Sequence, residues 1–169
     1  DAEGHAFCYA NADLRKGDAA EEIFRFIAFW TRTHGARPRH LVFDSRLTTY
    51  PNLGRLDALG ITFLTLRRRN EKLLAALLAL PRAAWTPVHL DIPHRKYRDP
   101  LIYESRVRLK DYPGELRQIA AKGLGRELPT LLLTNALTAP VEPLLTRYAQ
   151  RMVVENAIAD GVHFFHLDA

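Results

Sequence analysis

Apolar positions between residues 18 and 33 follow a helical period: Ile23, Phe26, Ile27 and Trp30 recur three, four and seven places apart. Asp18 with Glu21 reads as a capping box opening this helix, Gly35 ends it, and Pro38 bars its continuation. The short apolar run His40–Phe43 then predicts a buried strand that delivers Asp44 at its C-terminal end. Pro51 starts a short helix ending at Gly60, a strand covers Ile61–Leu66, and Asn70 caps a helix over Glu71–Leu80. Strand, helix and strand in succession argue for an α/β sheet with parallel neighbours. Upstream, a turn at Asp1–Gly4 precedes an alternating stretch, His5–Asn11, that reads as one more strand.

The texture changes at Pro81. From Trp85 to about Lys122, Pro87, Pro93, Pro100 and Pro113 break the chain into short stretches, of which Ile102–Leu109 alternates most clearly. This segment reads as mostly antiparallel β structure. A strand over Leu128–Thr134 and a long helix from about Pro140 to Asp160 complete the chain. The organisation is a first part of an α/β core (residues 1–80), a β-rich segment (81–127), and a return strand with a final helix (128–169).

Composition adjusts this picture little. Of 169 residues, 47% are hydrophobic and 25% charged, ordinary for a globular domain. No apolar run is long enough for a membrane span. One cysteine, Cys8, excludes an internal disulfide and a multi-cysteine zinc site. Between Phe7 and Tyr9 it reads as a small buried core residue in a reducing compartment. The net charge of +5, pI near 9.6 and an excess of Arg over Lys suit a polyanionic partner, although a GC-rich genome would give the same bias. The chain opens without Met, inside a turn, and reads as a piece of a longer protein.

Two acids stand out as candidate chemistry. Asp44 follows a buried strand, where open α/β sheets place ligands and metals, although Asp-Ser is also a common cap. Glu155 sits among Val153, Val154, Ala157 and Ile158, and on a helix it shares a face with Tyr148, Arg151 and Met152. Its ordinary reading is an i, i+4 ion pair with Arg151. Taken together, the stretch Phe43-Asp44-Ser45-Arg46-Leu47-Thr48 with Leu53 and Leu56 behind it, and Tyr148-x2-Arg151-x3-Glu155 downstream, form a longer pattern. It resembles the second-Asp region and the Tyr–Arg–Glu helix of bacterial insertion-sequence transposases of the DDE type. The interval between the two acids exceeds what a bare ribonuclease-H-like core needs, and it suits the subfamily with a β insertion there.

The resemblance implies a ribonuclease-H-like mixed sheet flanked by helices, with an antiparallel β insertion between the second Asp and the Glu. It also implies two Mg²⁺ or Mn²⁺ ions held by carboxylates, Asp44 and Glu155 among them, for cleavage and strand transfer of transposon-end DNA. Tyr148 and Arg151 would hold phosphates. The partners implied are double-stranded DNA and further copies of the chain, in a bacterial cytoplasm near the nucleoid and not at a membrane. Two departures accompany the match. Val162 stands where the family helix carries a Lys, with His163 pointing about 100° away. The first Asp of the family has no counterpart, since Asp1, Asp13 and Asp18 all come too late, so one or two first core strands are missing and the metal site is incomplete. This chain is expected to be inactive alone, with exposed sheet edges.

Arg67, Arg68 and Arg69 follow a predicted strand and should share the sheet edge of Asp44. Arg95, Lys96 and Arg98, around Tyr97, form a second cluster that binds phosphates or is simply a solvated loop. His163 and His166 lack a third ligand and read as ordinary histidines. The alternatives are a non-catalytic DNA-binding remnant, an aspartate-dependent phosphohydrolase (disfavoured by Arg46 where a second Asp belongs) and a purely structural α/β protein.

Overall fold

The computed structural model describes residues 8–11, 13–15, 17–45, 48–92 and 96–150. Helix α1 spans Glu22–His34, strand β1 His40–Phe43, helix α2 Tyr50–Ala58, strand β2 Thr62–Leu66 and helix α3 Glu71–Leu78. After a single 3-10 turn at Arg82–Ala84 come β3 (Thr86–Pro87), β4 (Leu101–Val107), β5 (Leu116–Lys122) and β6 (Thr130–Thr134). A final helix, α4, is described over residues 141–150.

All six strands form one sheet in the order β1-β2-β6-β5-β4-β3. The β1–β2 pair is parallel, as a strand–helix–strand unit through α2 requires, and every other pair is antiparallel. The chain is therefore an α/β protein built on a mixed sheet.

Side-chain alternation gives the sheet two apolar faces. On one face, Phe43, Phe63, Leu116 and Leu133 pack under α1 and α2, through Ile23, Ile27, Leu53 and Leu56. Farther along the same face, Ala120 and Leu131 pack with Leu77 of α3 and with Trp85. On the opposite face, Leu64, Ile102, Ile119 and Leu132 pack under Val141, Leu144 and Leu145 of α4. Covered on both faces, β5 and β6 are buried along nearly their whole length. The continuous apolar run Leu131-Leu132-Leu133 is what such a strand needs.

Local chemistry sets most boundaries. Thr49 caps α2 by accepting the Asn52 N–H, and Pro51 occupies its first turn. Asn70 accepts the Leu73 N–H at 2.8 Å and caps α3. Gly35 and Gly60 follow α1 and α2 with φ of 73°, the left-handed conformation that glycine tolerates.

Three expectations fail. The capping box does not form: α1 has no side-chain cap, and the Glu21 carboxylate is taken by Arg55 at 2.8 Å. Residues 8–11 have no regular structure, and the rest of the expected strand lies outside the described residues. A strand needs a neighbour to complete its ladder. This segment is tied to α1 by side chains instead, with Tyr9 packed on Phe26 and Phe29. Cys8 is accordingly exposed and no core residue.

Candidate functional site

Strand register defines the edge on which the candidate acid sits. Phe43 of β1 pairs with Thr65 of β2, so Asp44 leaves the sheet level with Leu66, one residue before Arg67. Parallel strands end together, and Asp44 and the Arg67–Arg69 stretch therefore share one sheet edge, as the sequence order predicts. Asp44 is half-buried, and the Ser45 hydroxyl donates to its Oδ1 at 3.2 Å. Among the described residues, the buried Thr48 hydroxyl nearby in sequence has no hydrogen-bond partner.

The three arginines are not equivalent. The Arg67 N–H is in the sheet ladder, donating to the Leu131 carbonyl at 2.8 Å. Its guanidinium turns back along the sheet to the amide oxygen of Gln118, which in turn donates to Ser105 at 3.2 Å. Gln118 is buried, so Arg67 serves the interior of the sheet. Arg68 and Arg69 are exposed. The sequence gives no sign of this split, because it depends on a cross-sheet register.

The second cluster lies on the β3–β4 connection. Because β3 and β4 are antiparallel, with Pro87 opposite Leu101, this connection leaves the sheet at the same end as the β5–β6 turn, where Leu101 pairs with Lys122. The Tyr97 ring rests on Gly125, where an added Cβ would meet it at 2.8 Å, and Lys96 lies 5.6 Å from the same ring. Lys96 and Arg98 are exposed, and Arg95 lies outside the described residues. Acids share this region: Asp99 holds His89 at 2.7 Å.

Helix α4 supplies the remaining described candidate. Tyr148 is half-buried and packs against the cluster built on Leu64, Ile119 and Leu132, against which Val42 of β1 and Leu66 of β2 also pack. The alternation that turns Val42 to the α4 face turns Asp44 the same way. The imidazole of His40 is held below its usual range first by loss of solvent around the ring, then by the cations of Arg147 on α4 and Arg39. Arg151 and Glu155 lie outside the described residues, as do Val162, His163 and His166. Among the described residues, no group of three or more His, Cys, Asp or Glu could hold a metal ion. None of the described helices is long and apolar enough to cross a membrane.

Sequence reasoning missed two polar centres. Glu22 is buried, and its carboxylate accepts from Tyr9 at 2.5 Å, Asn11 at 2.9 Å and Arg25 at 3.1 Å. Those bonds, led by the one from Tyr9, hold its carboxyl below the usual range and push the Tyr9 phenol up. Arg117 is buried near the start of β5. In the sequence both look like surface charges, and only their burial reveals them.

The described residues thus define an α/β protein with an acid at the joint end of two parallel strands and a helix crossing the same face. No protein-family model matches the chain, and no curated protein is similar to it.

Proposed function

We propose that this chain is part of the catalytic domain of a DDE-type DNA transposase, with a ribonuclease-H-like sheet. One observation carries the reading: Asp44 follows β1 where the parallel strands β1 and β2 end together, and Tyr148 of α4 packs on the apolar cluster of the sheet face that Val42 also lines. Tyr148 opens the Tyr148-x2-Arg151-x3-Glu155 pattern. The reading requires the helical period to carry on from Tyr148, so that Arg151 and Glu155 follow on its side.

The described donors suit a hard cation in kind. A half-buried carboxylate beside a hydroxyl offers oxygen ligands, which favour Mg²⁺ or Mn²⁺ over zinc. Asp44 and Glu155 are the residues assigned to hold it, and a bound ion pair would supply the charge that activates water and stabilises the leaving 3′ oxygen of a DNA phosphodiester. Tyr148 and Arg151 are assigned to orient the phosphate. Arg68, Arg69, Lys96 and Arg98, exposed on loops at the Asp44 end of the sheet, support double-stranded DNA as the partner. Arg67 contributes through the sheet rather than as a free phosphate ligand.

Paramagnetic Mn²⁺ tests this without requiring turnover. Added at millimolar concentration, it should broaden the amide signals around Asp44 and those of the last turn of α4 together. Either Asp44→Asn or Glu155→Gln should abolish both effects. Broadening at Asp44 that survives Glu155→Gln would mean that the acids do not share an ion, and the reading would fall.

A further inference from the structure

Register places Arg106 of β4 directly opposite Arg117 of β5, on the face covered by α4. Like charges so placed repel, and burying one of them is costly without partners. Arg117 is 9% exposed. Its Nε donates to the Glu104 carboxylate, and its Nη1 donates to the main-chain carbonyls of Ala139 and, at 3.4 Å, Ala136. Arg106 donates from Nη2 to the Leu137 carbonyl at 2.6 Å. The acceptors at 136, 137 and 139 all belong to the crossover that leads from β6 to α4. That crossover is fixed from its start, because the Thr134 hydroxyl accepts the Ala136 N–H at 3.0 Å.

A surface crossover normally hydrates its carbonyls. Here a pair of guanidiniums gathers them, and each planar fork fixes direction as well as distance. The crossover delivers Val141, the first residue of α4, so its path sets how the helix is rotated and where its far end arrives. We infer that Arg106 and Arg117 are positioning residues. They form a clasp that fixes the phase of α4 on the sheet, and so the place of Tyr148 on the apolar cluster beneath the helix. For catalysis this rests on the transposase reading, but the docking of α4 does not.

The experiment uses the whole chain as wild type, Arg117→Lys, and the double variant Glu104→Gln/Arg117→Met, which leaves no stranded acid. Amide hydrogen exchange is followed over residues 141–150 and over β5 and β6. Nuclear Overhauser contacts are followed from the Tyr148 ring to the methyls of the cluster beneath it. In both variants we expect exchange over 141–150 to quicken at least tenfold, β5 and β6 to keep their protection, and the Tyr148 contacts to weaken. Lysine keeps the charge but lacks the planar fork whose Nε and Nη1 reach acceptors in fixed directions, so it should not rescue. Unchanged helix protection would overturn the inference, as would equal loss across helix and sheet. Mn²⁺ broadening in the same samples separates the two claims. If wild type shows no shared ion, the transposase reading fails and exchange alone judges the clasp. If wild type shares it, the variants should weaken the effect at Asp44 and at α4 together, as Glu155→Gln does, while β5 and β6 keep their protection.

Discussion

Asn135 carries more of the fold than its half-exposed position suggests. Its Oδ1 accepts the Phe63 N–H of β2 at 2.9 Å. Its Nδ2 donates to the Ile61 carbonyl at 3.1 Å and to Asp57 Oδ1 at 2.7 Å. The side chain thus extends the β2–β6 ladder one step past Thr134, whose partner is Leu64, and ties it to the end of α2. Phe63 and Ile61 are each 1% exposed, so water cannot replace these bonds readily. In Asn135→Ala the stranded N–H costs about 1–3 kcal/mol and the carbonyl about 1 kcal/mol, while the exposed bond to Asp57 adds less. The expected loss is about 2–4 kcal/mol. Urea unfolding followed by the fluorescence of Trp30 and Trp85 measures it. Asn135→Asp supplies a second signature. It keeps the acceptor for Phe63 but sets a carboxylate against Asp57 and the Ile61 carbonyl, so its deficit relative to wild type should shrink as pH falls through about 4. A loss below about 1 kcal/mol in Asn135→Ala would refute the ladder argument.

Three further predictions follow from single environments. Glu22 has its carboxyl lowered, chiefly by the Tyr9 bond, so its contribution is full above the unfolded value of about 4.3 and vanishes as pH falls through the lower folded value. The raised Tyr9 phenol acts in the opposite sense, holding its contribution below about pH 10 and losing it above the folded value. Tyr9 ring shifts should therefore change at both extremes in wild type, and Glu22→Gln should remove the acid step. Gly54 sits inside α2, where Ala usually adds about 1 kcal/mol, but its Cβ would meet Pro113 Cδ at 2.9 Å. Gly54→Ala should thus lower the melting temperature rather than raise it. Finally, Arg68→Ala/Arg69→Ala should reduce the slope of log affinity for duplex DNA against log salt by about 0.9 for each phosphate no longer neutralised, while Arg67→Ala should lower stability as well as binding.

What could be read from the chain was local. β1 was bounded correctly at His40–Phe43, and the Asn70 cap, the Gly35 and Gly60 stops and the parallel β1–β2 pair all follow from neighbours in sequence. What escaped was set by strands distant in sequence. Glu21 looked like a helix cap until Arg55 of α2 claimed it. Arg67 looked like its exposed neighbours until Gln118 of β5 drew it inward. Cys8 looked buried because its neighbours are aromatic, yet without a paired strand around it the thiol faces solvent. Nor does any local pattern announce the strand order that places β6 beside β2.

That strand order bears directly on the candidate site. Because β6 joins β2 and β5 joins β6, the strands after residue 86 widen the sheet on the side away from β1. The crossover after β6 can then rest on the arginines of β4 and β5, and α4 travels back across the face toward β1, bringing the cation of Arg147 within electrostatic range of His40. A helix launched from beside β1 would need no such clasp, and small errors in its rotation would matter little over a short span. Here the anchor and the acid lie at opposite sides of the sheet, so a shift at residue 139 is carried along the whole helix. The β-rich segment therefore matters to the candidate site even though its strands lie on the side of the sheet away from β1: it sets the distance and angle from which α4 approaches.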